Sequence, residues 1–339
     1  MAGSAAKFLL LVLSVAVTFG GIFVWGYAQY VRPGPLEHPV TAIIPPGTSV
    51  DGIARVLADA GVLADPKIFR FGVRLSGDHA GLRAGEYSFP AGASQREVAA
   101  ILRSGKTVVR RLTVAEGLSV AQVVGLVQST AGLMGDLGPL PAEGGLLPET
   151  YHFSHGERRS AMIGRMRDAM DRTLAKLWSE RAPDLPLQTQ REALILASIV
   201  EKETGVPEER AKIARVFLNR LAQGMRLQSD PTVVYGLTQG SGPLDRALNG
   251  ADLKAPSPFN TYLNTGLPPA PICNPGLAAI MATLHPAETD ALYFVADGSG
   301  GHAFARTLAE HNRNVARWRQ IRNGRPEPGR AEPSTVTAP

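Results

Sequence analysis

An almost wholly apolar segment, FLLLVLSVAVTFGGIFVW, occupies residues 8–25, and no charged residue occurs between Lys7 and Arg32. As a helix, this segment is long enough to cross the ~30 Å hydrocarbon core of a bilayer. Aromatic residues follow where an interfacial belt would lie, namely Trp25, Tyr27 and Tyr30. A cleaved signal peptide is the alternative, but no convincing small-residue cleavage site follows the apolar core. The sequence therefore predicts a single uncleaved transmembrane anchor over residues 8–30, after a short terminus at 1–7 and before a proline-rich linker at 31–40.

Length and composition limit what the rest of the chain can be. At 339 residues the chain is long enough for about two domains. Its one cysteine, Cys273, excludes an internal disulfide framework. The net charge of +5 is spread along the chain instead of being clustered. A membrane surface or an acidic polymer is compatible with this charge, whereas a nucleic-acid partner has no positive support.

A short pattern occurs three times after the linker, as IPPGTS at 44–49, FPAGAS at 89–94 and VAEGLS at 114–119. Each copy is followed by apolar residues at helical spacing, so each predicts a strand end, a glycine turn, a serine N-cap and an amphipathic helix. Such units are too small to bury a core alone, and we expect the first two to pack together in a compact α/β module over 41–130. This module is either a structural spacer or a sugar-binding module that resembles LysM domains.

The helix predicted from about residue 190 to 204 is the main candidate for a functional element. It begins at a T-x-x-E capping pair, Thr189 and Glu192, is apolar around most of its circumference, and ends in IVEKETG. Glu201 and Glu203 differ by about 200° around a regular helix, so they cannot face the same pocket. The negative end of the helix dipole and nearby apolar surface both raise the pKa of a carboxyl group there. A general acid that works near neutral pH needs such a pKa, although two ordinary surface glutamates are the alternative.

The segment that follows Gly224 is rich in turn formers, polar side chains and aromatic residues over some fifty residues. We expect a long functional loop, since amides, hydroxyls and aromatic faces are what a sugar-binding cleft requires. The residues of this kind are Gln228, Asp230, Tyr235, Asn260 and Tyr262. Further on, residues 292–305 predict a β-hairpin whose turn is DGSGG, with Asp297 serving that turn, and the tail at 324–339 is predicted to be disordered.

Other chemistries have little support in the sequence. The seven histidines contain no H-E-x-x-H pattern, and there is no G-x-S-x-G pattern. Cys273 lies in a proline-rich turn without an evident base. We predict neither a metal nor a cofactor.

Several long motifs together resemble those of the endolytic murein transglycosylases of the YceG-like family. They are ASIVEKETGVPEERAKIARVFLNRL, GMRLQSDPTVVYGL, FNTY, GLPPAPICNPG, YFVADGSGGHAF and EHN, in that order. The resemblance extends from the anchor to about residue 315 and departs mildly at Leu147, Glu149 and Phe259. It implies an α+β protein with one N-terminal transmembrane helix, a LysM-like module, and a mainly helical catalytic domain over 131–323 that carries the β-hairpin.

The resemblance also implies an activity and a location. Family members cleave the β-1,4 bond between N-acetylmuramic acid and N-acetylglucosamine in nascent peptidoglycan strands, leave a 1,6-anhydro end, and would thereby terminate strand elongation. The implied location is the bacterial inner membrane with the catalytic part in the periplasm, where cell-wall synthases are candidate partners. The family's catalytic glutamate corresponds to Glu203, with Glu201 as a supporting residue. The expected substrate contacts are Gln228, Ser229, Asp230, Thr232, Tyr235, Asn260 and Tyr262. A hydrolytic muramidase and a non-catalytic peptidoglycan-binding scaffold remain as alternatives.

Overall fold

A computed structural model describes residues 2–324, with side chains for residues 7–323. The predicted disordered tail therefore lies, beyond Gly324, outside the described residues. The elements in chain order are α1 (Ala2–Val31), β1 (Val40–Ile44), α2 (Val50–Asp59), α3 (Pro66–Leu75), β2 (Gly85–Phe89), α4 (Gln95–Ser104), β3 (Val109–Thr113), α5 (Val120–Ser129), β4 (Thr150–Ser154), α6 (Arg159–Ser179), α7 (Gln190–Glu203), α8 (Arg210–Ala222), α9 (Asp230–Thr238), α10 (Leu277–Leu284), β5 (Tyr293–Ala296), β6 (His302–Ala305) and α11 (Leu308–Gly324). The protein is thus a mixed α+β chain with two-stranded sheets β1–β2, β3–β4 and β5–β6.

The three repeated sequence patterns form the structure predicted for them. Each places a glycine with positive φ between a strand and a helix, at Gly47, Gly92 and Gly117. Each then uses a serine hydroxyl to accept the backbone N–H three residues later, at Ser49, Ser94 and Ser119. The side chains of Glu97 and Gln122 complete capping boxes in the second and third copies. The local sequence therefore determines where α2, α4 and α5 begin.

The chain divides into two compact units. The first contains the described residues up to 111, with short pieces at 132–134 and 152–157. Its strands β1 and β2 pair antiparallel, with Val40 opposite Phe89 and Ile44 opposite Gly85. Its core includes Ile44, Leu57, Phe69, Tyr87, Phe89 and Leu102. The first two repeat copies pack together here, whereas the helix of the third copy, α5, belongs to the second unit, so the predicted module over 41–130 spans both units.

The second unit contains residues 112–131, 135–151 and the described residues from 158 to 324. Helix α7 packs against α6, α8, α9 and α10, which makes it the central element of this unit. The methionine stripe of α6 lies in the core, as its spacing indicates, with Met162, Met166 and Met170 buried. The predicted β-hairpin is confirmed, and Asp297 accepts the backbone N–H of Ser299 in its turn.

The segment expected to be one long loop after Gly224 is partly helical, which is a correction to the sequence-based expectation. Helix α9 begins at Asp230 with Pro231 in its first turn, where a proline needs no hydrogen-bond donor. Thr232 and Val233 are buried on its inner side. The remainder, up to α10, is irregular apart from a short 3-10 turn at Asp252–Lys254.

Candidate active site

Helix α7 places Glu203 as its last residue. The Thr189 hydroxyl accepts the Glu192 N–H at 3.1 Å at the other end. The Glu192 carboxylate accepts from Gln188 N instead of Thr189 N, so only half of the predicted capping box forms. The helix body is almost entirely buried, through Ala193, Ile195, Leu196, Ala197, Ser198, Ile199 and Val200. A rigid helix therefore fixes the position of the carboxyl group at its C-terminal end.

The two glutamates of the E-x-E pair make different contacts, as the helical geometry predicts. Glu201 Oε2 accepts the Gly276 N–H at 2.8 Å, at the residue that precedes α10. Its other oxygen lies 4.0 Å from the Arg210 guanidinium. Glu203 instead accepts a hydrogen bond from Ser229. Glu201 thus connects the end of α7 to the start of α10, and Arg210 is its arginine partner.

The contact between Glu203 and Ser229 is formed by a turn just before α9. Gln228 has a φ of 52°, which is uncommon for a residue with a side chain. Its backbone N–H donates to Thr261 O at 3.2 Å, and the Ser229 N–H donates to Thr261 Oγ1 at 3.0 Å. These bonds hold the Ser229 hydroxyl 2.5 Å from Glu203 Oε1, to which it donates.

Glu203 lines a pocket of about 460 Å³. Three residues predicted to contact substrate line it as well: Gln228, Asp230 and Tyr262. The Tyr262 hydroxyl donates to Asp230 Oδ1 at 2.6 Å, which orients this carboxylate. The other lining residues are Arg220, Leu227, Phe294, Val295 and His311. The pocket thus brings an acid, polar side chains and aromatic rings together around one space.

The surroundings of Glu203 raise the pKa of its carboxyl group to about 7. Burial is the largest cause, because it disfavours the ionised form, and the negative charge of Asp230 acts in the same direction. The hydrogen bond from Ser229 and the charges of His302 and Arg220 lower the pKa, but by less. Glu203 can therefore hold or release a proton near neutral pH.

Arg220 is a further residue that lines the pocket. It lies on α8 and is buried, with its guanidinium over the Tyr293 ring at 5.2 Å. It donates to Leu227 O at 2.7 Å and to Leu292 O at 2.6 Å. The sequence contains a signal for the burial of Arg220, since Ile213, Phe217 and Arg220 have the spacing of one helix face. An arginine on an otherwise apolar stripe indicates a buried charge with a specific role.

His302 and Glu209 form a second pair that the sequence analysis did not identify. The Glu209 carboxylate accepts the His302 backbone N–H at 2.8 Å and lies 2.6 Å from His302 Nδ1. Glu209 belongs to the 3-10 turn that follows α7, and His302 opens β6. This pair connects the chain just after Glu203 to the hairpin.

The remaining predicted contacts lie elsewhere. Thr232 and Asn260 are 0% and 1% exposed, and neither lines the Glu203 pocket. The Thr232 hydroxyl donates to Ser229 O, and Asn260 Nδ2 donates to Leu253 O and Ala255 O, so both hold the backbone of the cleft wall. Tyr235 lines a neighbouring cavity of about 530 Å³, which Asp230 also borders.

Comparisons with known proteins identify the family of this chain. The model of the YceG-like family matches residues 42–317. An endolytic murein transglycosylase of Bacillus subtilis is 30% identical, over 90% of this chain and 92% of its own length. One of Streptococcus pneumoniae is 31% identical over 90% of this chain, which spans 64% of that protein.

A solved structure shares the fold. The crystal structure of a protein described as yceG-like, from Listeria monocytogenes, is 32% identical and superimposes with a TM-score of 0.50. The match covers 81% of this chain and 99% of the Listeria one. Sequence and fold together establish that this chain belongs to the YceG-like family.

Proposed function

We propose that this protein is an endolytic murein transglycosylase that cleaves the MurNAc-β-1,4-GlcNAc bond of nascent glycan strands and leaves 1,6-anhydro ends, thereby terminating strand elongation. The observation that carries the proposal is Glu203, a carboxyl group with a pKa of about 7 at the wall of a polar pocket. The relatives named endolytic murein transglycosylases supply the substrate class.

In the proposed mechanism, protonated Glu203 gives its proton to the glycosidic oxygen as the bond to the anomeric carbon breaks. The 6-hydroxyl of the same muramoyl residue then attacks the anomeric carbon, and the Glu203 carboxylate takes the hydroxyl proton. Atoms balance without water, and the acid returns to its starting state. The Ser229 hydroxyl, which donates to Glu203 Oε1, stabilises the carboxylate formed between the two steps.

The other site residues have proposed supporting roles. Gln228, Asp230 and Tyr262 would contact the sugar at the pocket, and Tyr235 would contact it in the neighbouring cavity. Glu201 would hold the end of α7 through Gly276. Ser229, Thr232 and Asn260 are buried, so we assign them to the position and electrostatics of the cleft wall.

We propose that α1 is a retained single-pass anchor in the inner membrane, with the catalytic part in the periplasm. Residues 7–31 form one apolar helix long enough to cross a bilayer. A signal sequence can have the same length and apolar composition, but Tyr30 is 5% exposed and packs against Gly72 of α3. The last turn of α1 is thus part of the folded first unit, which supports retention of this helix.

The first unit is proposed to be a LysM-like module that binds the glycan. Its paired strands and flanking helices form a compact α/β unit with its own core, which supports this assignment. Cell-wall synthases are the protein partners that we propose, because they make the nascent strands.

A hydrolytic muramidase is the alternative that one observation favours. The Asp230 carboxylate lines the same pocket as Glu203, and two carboxylates are what a hydrolase uses to activate water. Mass spectrometry of fragments released from nascent glycan separates the two activities. Anhydro products, lighter by one water, support the transglycosylase, whereas products with only reducing ends would contradict it. Glycan binding without any cleavage would instead favour the scaffold.

A further inference from the structure

Helix α3 exposes two large apolar side chains one turn apart. Phe71 and Leu75 are each 52% exposed, although the opposite side of α3 contributes Phe69 and Val73 to the core. Both exposed side chains lie beside α1. The Phe71 ring meets the Phe23 ring edge-on, with 6.5 Å between the centroids. Phe71 and Leu75 also line a small cavity of about 210 Å³ together with Tyr27 and Tyr30.

The level of Phe23 along α1 determines the level of Phe71. If the hydrocarbon begins at Phe8, about 20 helical residues bring its far boundary to Tyr27. Phe23 lies four residues earlier, which places it about 6 Å inside that boundary at a rise of 1.5 Å per residue. Because the two rings are in contact, Phe71 reaches the same region. A helix that lies in a membrane interface buries its apolar side chains about 5–10 Å deep, which agrees with this level.

The junction between α1 and α3 is built for close contact. A Cβ atom on Gly72 would lie 2.4 Å from two ring atoms of Tyr30, so only glycine allows this approach. Tyr30 in turn is buried by the contact. This close contact therefore fixes the position of α3 against the end of α1. As a result, α3 stays at the membrane level set by α1.

The polar part of α3 also fits a lipid surface. Lys67, Arg70 and Arg74 are basic, and the side chain of Arg74 is 64% exposed. Arg70 and Arg74 lie 3.1 and 3.7 Å from the same carboxylate, that of Asp51 on α2, so two arginines share one acid and a net positive charge remains there. Long basic side chains beside an apolar stripe extend to the phosphate groups of a bilayer.

We propose that α3 is a second membrane contact, with Phe71 and Leu75 inserted into the interface of the phospholipid bilayer that α1 crosses. The inference rests on the proposed anchor. It gives the first unit a fixed orientation on the membrane instead of a flexible tether. Phospholipid is the occupant because the exposed pair is continuous with the apolar surface of α1 through Phe23.

The test uses the full chain in phosphatidylglycerol-containing vesicles, with an environment-sensitive fluorophore on single introduced cysteines. The native Cys273 is buried, so it does not compete for the label in the folded protein. The variants are Phe71→Cys, Leu75→Cys, Val24→Cys as the anchor reference, and Ser88→Cys as the matched control. Ser88 is exposed on β2, on the opposite side of the strand from Phe89 in the core. Each label is challenged with a lipid-borne nitroxide and with aqueous iodide.

We expect the nitroxide to quench the labels at residues 24, 71 and 75 at least about threefold more strongly than the label at residue 88. Iodide should instead quench the label at residue 88 more strongly than the other three. Strong quenching at residue 24 with aqueous behaviour at 71 and 75 would overturn the inference and leave the anchor intact. If the labels at residues 71 and 75 are protected from both quenchers, they contact protein, such as a second copy of the chain. That result would also overturn the inference. Aqueous behaviour at residue 24 would contradict the proposed anchor itself.

Discussion

Ser229 donates its hydroxyl hydrogen to Glu203 Oε1 over 2.5 Å, although the two residues are 26 positions apart in the chain. The bond stabilises the ionised carboxylate, whereas burial favours the protonated acid. The result is a pKa of about 7, at which a single group can donate and then accept a proton. The chemistry proposed for this pocket depends on this balance.

The pH dependence of cleavage should reflect Glu203. Because the acid must start protonated, kcat/KM is expected to fall about tenfold per pH unit above a pKa of about 7. The profile is measured with the wild-type protein on uncrosslinked glycan. A rate that stays constant up to pH 9 would be incompatible with Glu203 as the acid.

The Ser229→Ala change removes a hydrogen bond that lowers the pKa of Glu203. We expect the descending limb to move to higher pH and the plateau of kcat/KM to drop about tenfold, since a bond to the forming carboxylate is lost. Ser179→Ala, at the exposed end of α6, is the control. A shift to lower pH would show that the hydroxyl acts in another way.

The Asp230→Asn change should have the opposite effect on the profile. The charge of Asp230 raises the pKa of Glu203, so its removal should move the descending limb to lower pH. Tyr262→Phe, which keeps the Asp230 charge and loses only its hydrogen bond, is the matched comparison. If both variants shift the limb equally, the Asp230 charge is not the cause. If Asp230→Asn, but not Tyr262→Phe, stops the release of products with reducing ends, the result would instead favour a hydrolase.

Glu203 should also make stability depend on pH. Its folded pKa of about 7 exceeds the ordinary value of 4.5, so the folded state holds the proton more tightly and wild-type stability falls between these pH values. Glu203→Gln removes this loss. We expect it to be more stable than wild type on the order of 3 kcal/mol at pH 8 and about equal at pH 4. Denaturant unfolding at pH 8 and pH 4 measures this difference in unfolding free energy, with Glu208→Gln as the exposed control. If Glu203→Gln is stabilised equally at both pH values, the raised pKa of Glu203 is contradicted.

Glu201 should behave as a positioning residue. Glu201→Ala leaves the Gly276 N–H without its acceptor, and we expect a cost of about 1–3 kcal/mol in unfolding free energy. Glu201→Gln retains an acceptor and should keep cleavage within about tenfold of wild type, with an unshifted pH limb, because it is not the acid. A folded Glu201→Gln variant without activity would give Glu201 a direct role in the reaction.

Gly72→Ala tests the close approach of α1 and α3. Alanine within a helix is ordinarily better than glycine by about 0.5–1 kcal/mol, but here the new Cβ meets the Tyr30 ring. We expect a net loss of about 1–3 kcal/mol in the full chain in detergent. Gly125→Ala on α5 places its Cβ in empty space and should be neutral or stabilising. Equal behaviour of the two variants would mean that the Tyr30 contact is not tight.

The parts predicted from sequence are those with local causes. The three serine caps and the divergence of Glu201 and Glu203 follow from local sequence patterns and helix geometry. Helix α9 was missed because its short sequence, DPTVVYGLT, begins with turn formers. The bond from Ser229 to Glu203 depends on how Thr261 holds a left-handed Gln228, and no local pattern encodes such a contact. The burial of Thr232 and Asn260 likewise depends on tertiary packing.

The most direct measurement compares wild type and Glu203→Gln on nascent, uncrosslinked glycan, with cleavage products followed by mass spectrometry and glycan binding followed in parallel. The substitution keeps the shape of the side chain and an acceptor for Ser229 but removes the titratable proton. We expect 1,6-anhydro fragments from wild type, and from Glu203→Gln a cleavage rate at least about 1,000-fold lower with binding retained. Cleavage by Glu203→Gln at the wild-type rate would contradict this expectation.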